Sequence, residues 1–119
     1  MARARSDLES AEGLSNISKY GDALFFCQQA AEKALKAFLT FHQTPFRKTQ
    51  YLRDLVPDCL AIDGSLRPTL DPIDSFSEYA WRFRYSGAPY EPDAAEVARA
   101  FQLAEVAVRE IEQRLPPAA

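Results

Sequence analysis

The stretch that decides the fold is DALFFCQQAAEKALKAFLTFH, residues 22–42, which holds no proline and no glycine and spaces its apolar side chains for a helix. Ala23, Leu24, Phe25, Phe26, Cys27, Ala30, Ala31, Ala34, Leu35, Ala37, Phe38, Leu39 and Phe41 cover more than one stripe of the cylinder. A helix apolar over most of its circumference is buried over most of it, so this one is the centre of a bundle or packs a second face on another copy of the chain. Gln28, Gln29, Glu32, Lys33 and Lys36 interrupt it and mark where it meets water, another subunit or a ligand. Glu32 and Lys36 also form an i,i+4 pair worth a few tenths of a kcal/mol. Pro45 stops the helix.

Upstream, Ser6-Asp7-Leu8-Glu9 reads as a capping box that opens a first helix with Leu8, Ala11, Leu14 and Ile17 on its apolar face. Gly21 is expected to end that helix in a left-handed cap, and Asp22 to cap the next one, which makes the pair antiparallel. Downstream, Thr49 can cap a third helix carrying Leu52, Leu55, Val56, Cys59 and Leu60, with a kink or break expected at Pro57. After a loop at 62–65, a fourth helix is expected from Asp71, with Pro72 in its first turn, to Trp81, followed by an irregular connection over 82–92. Asp93-Ala94-Ala95-Glu96 is a second capping box. It opens a last helix with the stripe Val97, Phe101, Ala104, Val108, Ile111 and Leu115, closed by Pro116-Pro117. Nowhere do apolar and polar residues alternate as in a strand. The expected fold is all-α, an up-and-down bundle of four to five helices with a long, buried second helix, forming one domain over 1–119.

The chain has 119 residues, 47% of them hydrophobic, which is enough for a core without metal or disulfide support. Cys27 and Cys59 are isolated in apolar stretches and read as small core residues in a reducing compartment. One histidine and two cysteines offer no ligand set for zinc or haem, so no metal and no cofactor is expected. No apolar run approaches the roughly 20 residues of a membrane span, and the N-terminus lacks a secretory apolar stretch; the expectation is a cytoplasmic protein with no membrane contact.

The net charge is only −3, but it is segregated. Lys33, Lys36, Arg47, Lys48 and Arg53 occupy 33–53 with no acid among them, whereas 54–78 holds six acids against Arg67 alone. Such a pattern suits a positive region meeting an anionic partner, or simply solvated helix faces. His42, the only histidine, stands at a helix end, where a polar side chain with partial positive charge is favourable. The pairs Asp71/Asp74 and Glu105/Glu112 fall on solvent faces. Trp81, Arg82, Phe83, Arg84 and Tyr85 interleave cations with aromatics, a pattern that can hold a phosphate and stack a base. The plainer alternative is that these rings cap the core while the arginines pair with the acids before them.

Three stretches resemble the HEPN domain, the higher eukaryote and prokaryote nucleotide-binding family. Gln28-Gln29-Ala30-Ala31-Glu32-Lys33-Ala34-Leu35-Lys36-Ala37 is similar to the family's Gln-Ala-Ala-Glu-Lys-x-Leu-Lys-Ala helix, Lys48-Thr49-Gln50-Tyr51-Leu52 to Lys-Thr-His-x-Leu, and Arg84-Tyr85-Ser86 to Arg-Tyr-Pro. The resemblance implies a helical bundle, a homodimer, and pairing with a small nucleotidyltransferase in a toxin–antitoxin context. Many relatives are metal-independent ribonucleases that use an Arg and a His across the dimer. This chain departs from that pattern: Gln50 stands where the motif has histidine, and a neutral amide cannot exchange protons near pH 7. Ser86 replaces the proline.

The expected function is therefore non-catalytic binding of a nucleotide or RNA phosphate, or of a nucleotidyltransferase partner, through Lys48, Gln50, Arg53, Arg82, Arg84 and Tyr85. The alternatives are a ribonuclease toxin acting through His42 and a purely structural dimerisation module.

Overall fold

A computed structural model describes residues 1–46, 52–84 and 92–116, with 76–84 followed by backbone alone. Its elements are α1 (Ala2–Asn16), α2 (Tyr20–Phe41), α3 (Leu52–Ile62), a 3-10 turn (Gly64–Leu66), α4 (Arg67–Arg84) and α5 (Ala94–Gln113), with no strand among the described residues. The all-α expectation holds.

α2 is the central helix, packed by α1, α3 and α5. Ala23, Ala30, Ala34, Leu35 and Leu39 are fully buried along it, and Phe38 is 1% exposed. The alanines keep the neighbouring helix axes close, while the leucines and Phe38 fill the space between them. α3 and α4 double back on each other through the 3-10 turn, and α5 closes the bundle against α1, α2 and α4.

Both ends of the α1–α2 connection differ from expectation. α1 begins one turn before Ser6, so the Ser6–Glu9 box lies inside the helix and caps nothing. Burial of Ala4 (1% exposed) and an Arg5 ion pair with Glu112 of α5 draw the helix upstream. The helix ends in a Schellman motif: Lys19 N–H donates to the Leu14 carbonyl (2.8 Å) and Ser18 N–H to the Ser15 carbonyl (3.0 Å). The left-handed residue is Ser18, at φ 62°, not Gly21, which sits in the first turn of α2. α2 ends the same way, with Gln43 at φ 54° and Thr44 N–H donating to the Leu39 carbonyl (2.9 Å).

Pro57 does not break α3, which runs continuously through it. Leu55, Val56 and Cys59 are buried around the proline, and that packing outweighs the lost hydrogen bond. α4 starts four residues earlier than expected. Leu66, Leu70 and Ile73 continue one buried stripe upstream, and Pro68, not Pro72, occupies the first turn. Its far end overturns the irregular connection in part, because Arg82, Phe83 and Arg84 are helical. The second capping box forms as expected: Glu96 N–H donates to Asp93 Oδ1 (2.8 Å) and Asp93 N–H to Glu96 Oε1 (3.4 Å).

Candidate functional site

The polar residues of α2 turn inward onto the fold. Lys33 Nζ reaches Asp7 Oδ2 of α1 at 2.5 Å, and Lys36 Nζ reaches Glu32 Oε1 at 2.6 Å, as the i,i+4 spacing predicts. Asp7 and Glu32 are each only 7% exposed, so their ammonium partners are what make their burial tolerable. Gln29 Nε2 donates to Glu32 Oε2 at 3.4 Å, and Lys36 also lies over the Phe46 ring, 5.9 Å from its centroid. Lys33 and Lys36 are thus ion-paired within the protein, so the polar strip of α2 serves the fold as well as meeting its surroundings.

The family-like Gln28–Ala37 stretch is therefore structural here. Its alanines let helices approach, Lys33 joins α2 to α1, and Lys36 pairs with Glu32 within α2.

Of the residues expected to bind, Arg53 is exposed in the first turn of α3, and Arg82 and Arg84 lie in the last turn of α4. Lys48, Gln50 and Tyr85 fall outside the described residues, as does Thr49. Leu52 and Ile73 line one cavity, so α3 starts alongside the second turn of α4. Arg82 and Arg84 follow Ile73 by nine and eleven residues, roughly 14 and 16 Å along a straight helix. Along the axis of α4 the two arginine positions thus lie well beyond the level at which α3 starts.

That cavity, lined also by Cys27, Ala31, Ala100 and Ala104, has about 20 Å³ of space, room for a single water and for no ligand. Cys27 and Cys59 are free, buried thiols, as expected. Burial pushes both up to about 12, so neither supplies a thiolate near neutral pH. Cys59 Sγ lies 3.8 Å from the Leu35 carbonyl and donates to it.

His42 is the C-cap of α2, the polar helix-end position its place in the sequence predicts. Its ring lies against Phe38, with centroids 4.5 Å apart, and against Phe41 at 5.0 Å. Glu112 is taken up by Arg5, and Asp71 faces Arg67 across an exposed 3.7 Å pair. No three His, Cys, Asp or Glu side chains among the described residues could hold a metal ion together.

A second engaged arginine sits at the corner of the hairpin. Arg114, the C-cap of α5, donates from Nε to Asp63 Oδ2 (2.9 Å), from Nη2 to Ser65 Oγ (3.0 Å) and from Nη1 to Glu110 Oε2 (2.9 Å). Hydrogen bonds from Ser65, and then Arg114, hold the Asp63 carboxyl below its ordinary value.

The fold and its charged links define a class: an all-α bundle around one long buried helix. The chain belongs to the HEPN family, whose domain model matches residues 1–114. Among curated proteins and among solved structures, none matches the chain. No helix among the described residues is long and apolar enough to cross a membrane.

Proposed function

We propose that this HEPN chain works by recognition and not by cleavage. As a cytoplasmic homodimer it holds a phosphate of a nucleotide or RNA, or a small nucleotidyltransferase partner in a toxin–antitoxin-like pair. The observation that carries the reading is the surroundings of the only histidine. His42 ends α2 with its ring against Phe38 and Phe41, and position 50, where the family's motif has its histidine, is glutamine. General acid and base catalysis needs a titratable group oriented at the reacting atoms, and Gln50 has no proton to exchange near pH 7. An amide can still hydrogen-bond a phosphate or a base.

The binding residues are Lys48, Gln50 and Arg53 around the start of α3, with Arg82, Arg84 and Tyr85 at and beyond the end of α4. Guanidinium and ammonium groups hold phosphate oxygens, and Tyr85 offers a stacking face.

Titration of ATP and of a short RNA against wild type and Arg84→Ala tests the proposal. The variant is expected to bind severalfold more weakly, because charge-assisted hydrogen bonds to phosphate are lost. Identical weak binding by both proteins would overturn it.

A further inference from the structure

α1 and α5 run antiparallel but do not close on each other along their whole length. Arg5, near the start of α1, pairs with Glu112, near the end of α5. At the other end, Ala11, Glu12, Ser15 and Asn16 of α1 face Val97, Ala98 and Phe101 of α5 across an open pocket of about 190 Å³. Most of these side chains are short, which is why the two helices leave the space unfilled. The volume lies below the roughly 300–1,000 Å³ of a site for a drug-sized molecule and well above room for one water. It suits a ligand the size of a single side chain.

The lining has two characters. Ala11 and Val97, each 1% exposed, form an apolar floor, and the half-buried Phe101 stands beside them. Glu12, Ser15 and Asn16 form a polar edge. Glu12 is exposed, is the one ionisable residue of the lining, and has no hydrogen bond or ion pair among the described residues. Ser15 and Asn16 are the last two residues of α1, and a helix presents its partial negative charge at that end. Carboxylate and helix end act in the same sense, so the pocket disfavours an anion. A divalent metal ion would find one carboxylate where it needs about six oxygens. An organic cation on a short aliphatic stem meets both characters at once. Its stem covers the floor, while its N–H groups donate to the Glu12 carboxylate and to the side-chain oxygens of Ser15 and Asn16.

We propose that this pocket binds an alkylguanidinium or alkylammonium group. It draws on α1 and α5 alone and is independent of the phosphate-binding reading above. Two sources carry that chemistry: a free aliphatic amine, and an arginine or lysine side chain presented by another protein.

The test follows backbone amide resonances of the full chain during titration with agmatine, with N-acetylarginine amide and with pentanol, an uncharged chain of similar length. Agmatine is expected to shift the resonances of residues 11–16 and 97–101 saturably. Glu12→Gln, which keeps the size and removes the charge, should weaken agmatine binding about fivefold or more, and Ala98→Phe, which fills the pocket from an exposed position, should do the same. Asp58→Asn, at an exposed carboxylate on α3, should leave the affinity unchanged. Pentanol should bind more weakly than agmatine by a factor similar to the Glu12→Gln loss. Binding of N-acetylarginine amide as tight as that of agmatine assigns the site to a protein side chain, and binding of agmatine alone assigns it to a free amine; either supports the proposal. Shifts that do not saturate, that are unchanged in Glu12→Gln, or that weaken equally in Asp58→Asn overturn it by making the effect general attraction of cations to an acidic chain. A loss in Glu12→Gln with none in Ala98→Phe also overturns it, since an ion pair at the surface would then need no pocket. The melting temperature of each variant, expected to match wild type because all three substituted positions are exposed, separates these outcomes from unfolding.

Discussion

α2 and the α3–α4 hairpin are both helical, but they arrive there by different routes. Every local signal in α2 favours a helix: no proline, no glycine after its first turn, and an i,i+4 pair at Glu32 and Lys36. The hairpin is helical against its local signals, with Pro57 inside α3 and Pro72 inside α4. What sustains it is burial, since Leu55, Cys59, Leu66 and Leu70 are all fully buried. Where an apolar stripe continues through a proline, the gain from packing several side chains at roughly 1.5–3 kcal/mol each exceeds the cost of one missing hydrogen bond and a ring clash of about 3 kcal/mol. The hairpin should accordingly be the less stable half of the bundle, and the arginines of the proposed site lie on it.

The largest test of that contrast compares core truncations. Leu35→Ala in α2 and Leu55→Ala in α3 should each cost about 2–5 kcal/mol in denaturant unfolding, because both side chains are completely enclosed. If Leu55→Ala costs under about 1 kcal/mol, burial does not hold the hairpin and the contrast collapses. Of intermediate size is Pro57→Ala. It restores a backbone donor to the Arg53 carbonyl and should raise stability by about 1 kcal/mol, part of the gain being offset by the added freedom of the unfolded chain. A loss of stability would mean that α3 needs the proline's geometry.

The smallest effect is electrostatic. The folded carboxyl of Asp63 titrates below its ordinary value of 3.8, so the corner it shares with Ser65 and Arg114 contributes in full above that pH and is lost as pH falls through the lowered value. Melting temperatures measured from pH 5 down to pH 2 should therefore fall more steeply for wild type than for Asp63→Asn. Parallel curves would show that the corner contributes nothing.

The same contrast explains what was legible in the sequence. α2 was read to within two residues at each end because its propensity, pattern and stop signals agree. The Asp93–Glu96 box was read correctly, and both of its reciprocal hydrogen bonds form. Ser6–Glu9 carried the same signature and was overruled, since Ala4 and Arg5 both gain partners on other helices by extending α1. Gly21 invited a left-handed cap that falls three residues earlier on Ser18, where an intact backbone hydrogen-bond pattern outweighs the cost of a side chain at φ 62°. The start of α4 was missed because Pro72 looked like a first-turn proline when Pro68 held that place. In the candidate site, the helical positions of Arg82 and Arg84 were hidden by the glycine and prolines that follow them. The Asp7–Lys33 link, spanning two helices, had no local signature at all.

The most direct test of recognition without cleavage is to incubate an end-labelled short RNA with a stoichiometric excess of the protein, without added metal, and to read both the bound fraction and the RNA length. The account predicts RNA that is bound and full length, with the bound fraction falling in Arg84→Ala. Shortened RNA, with cutting abolished in His42→Ala, would contradict it and make the chain a ribonuclease.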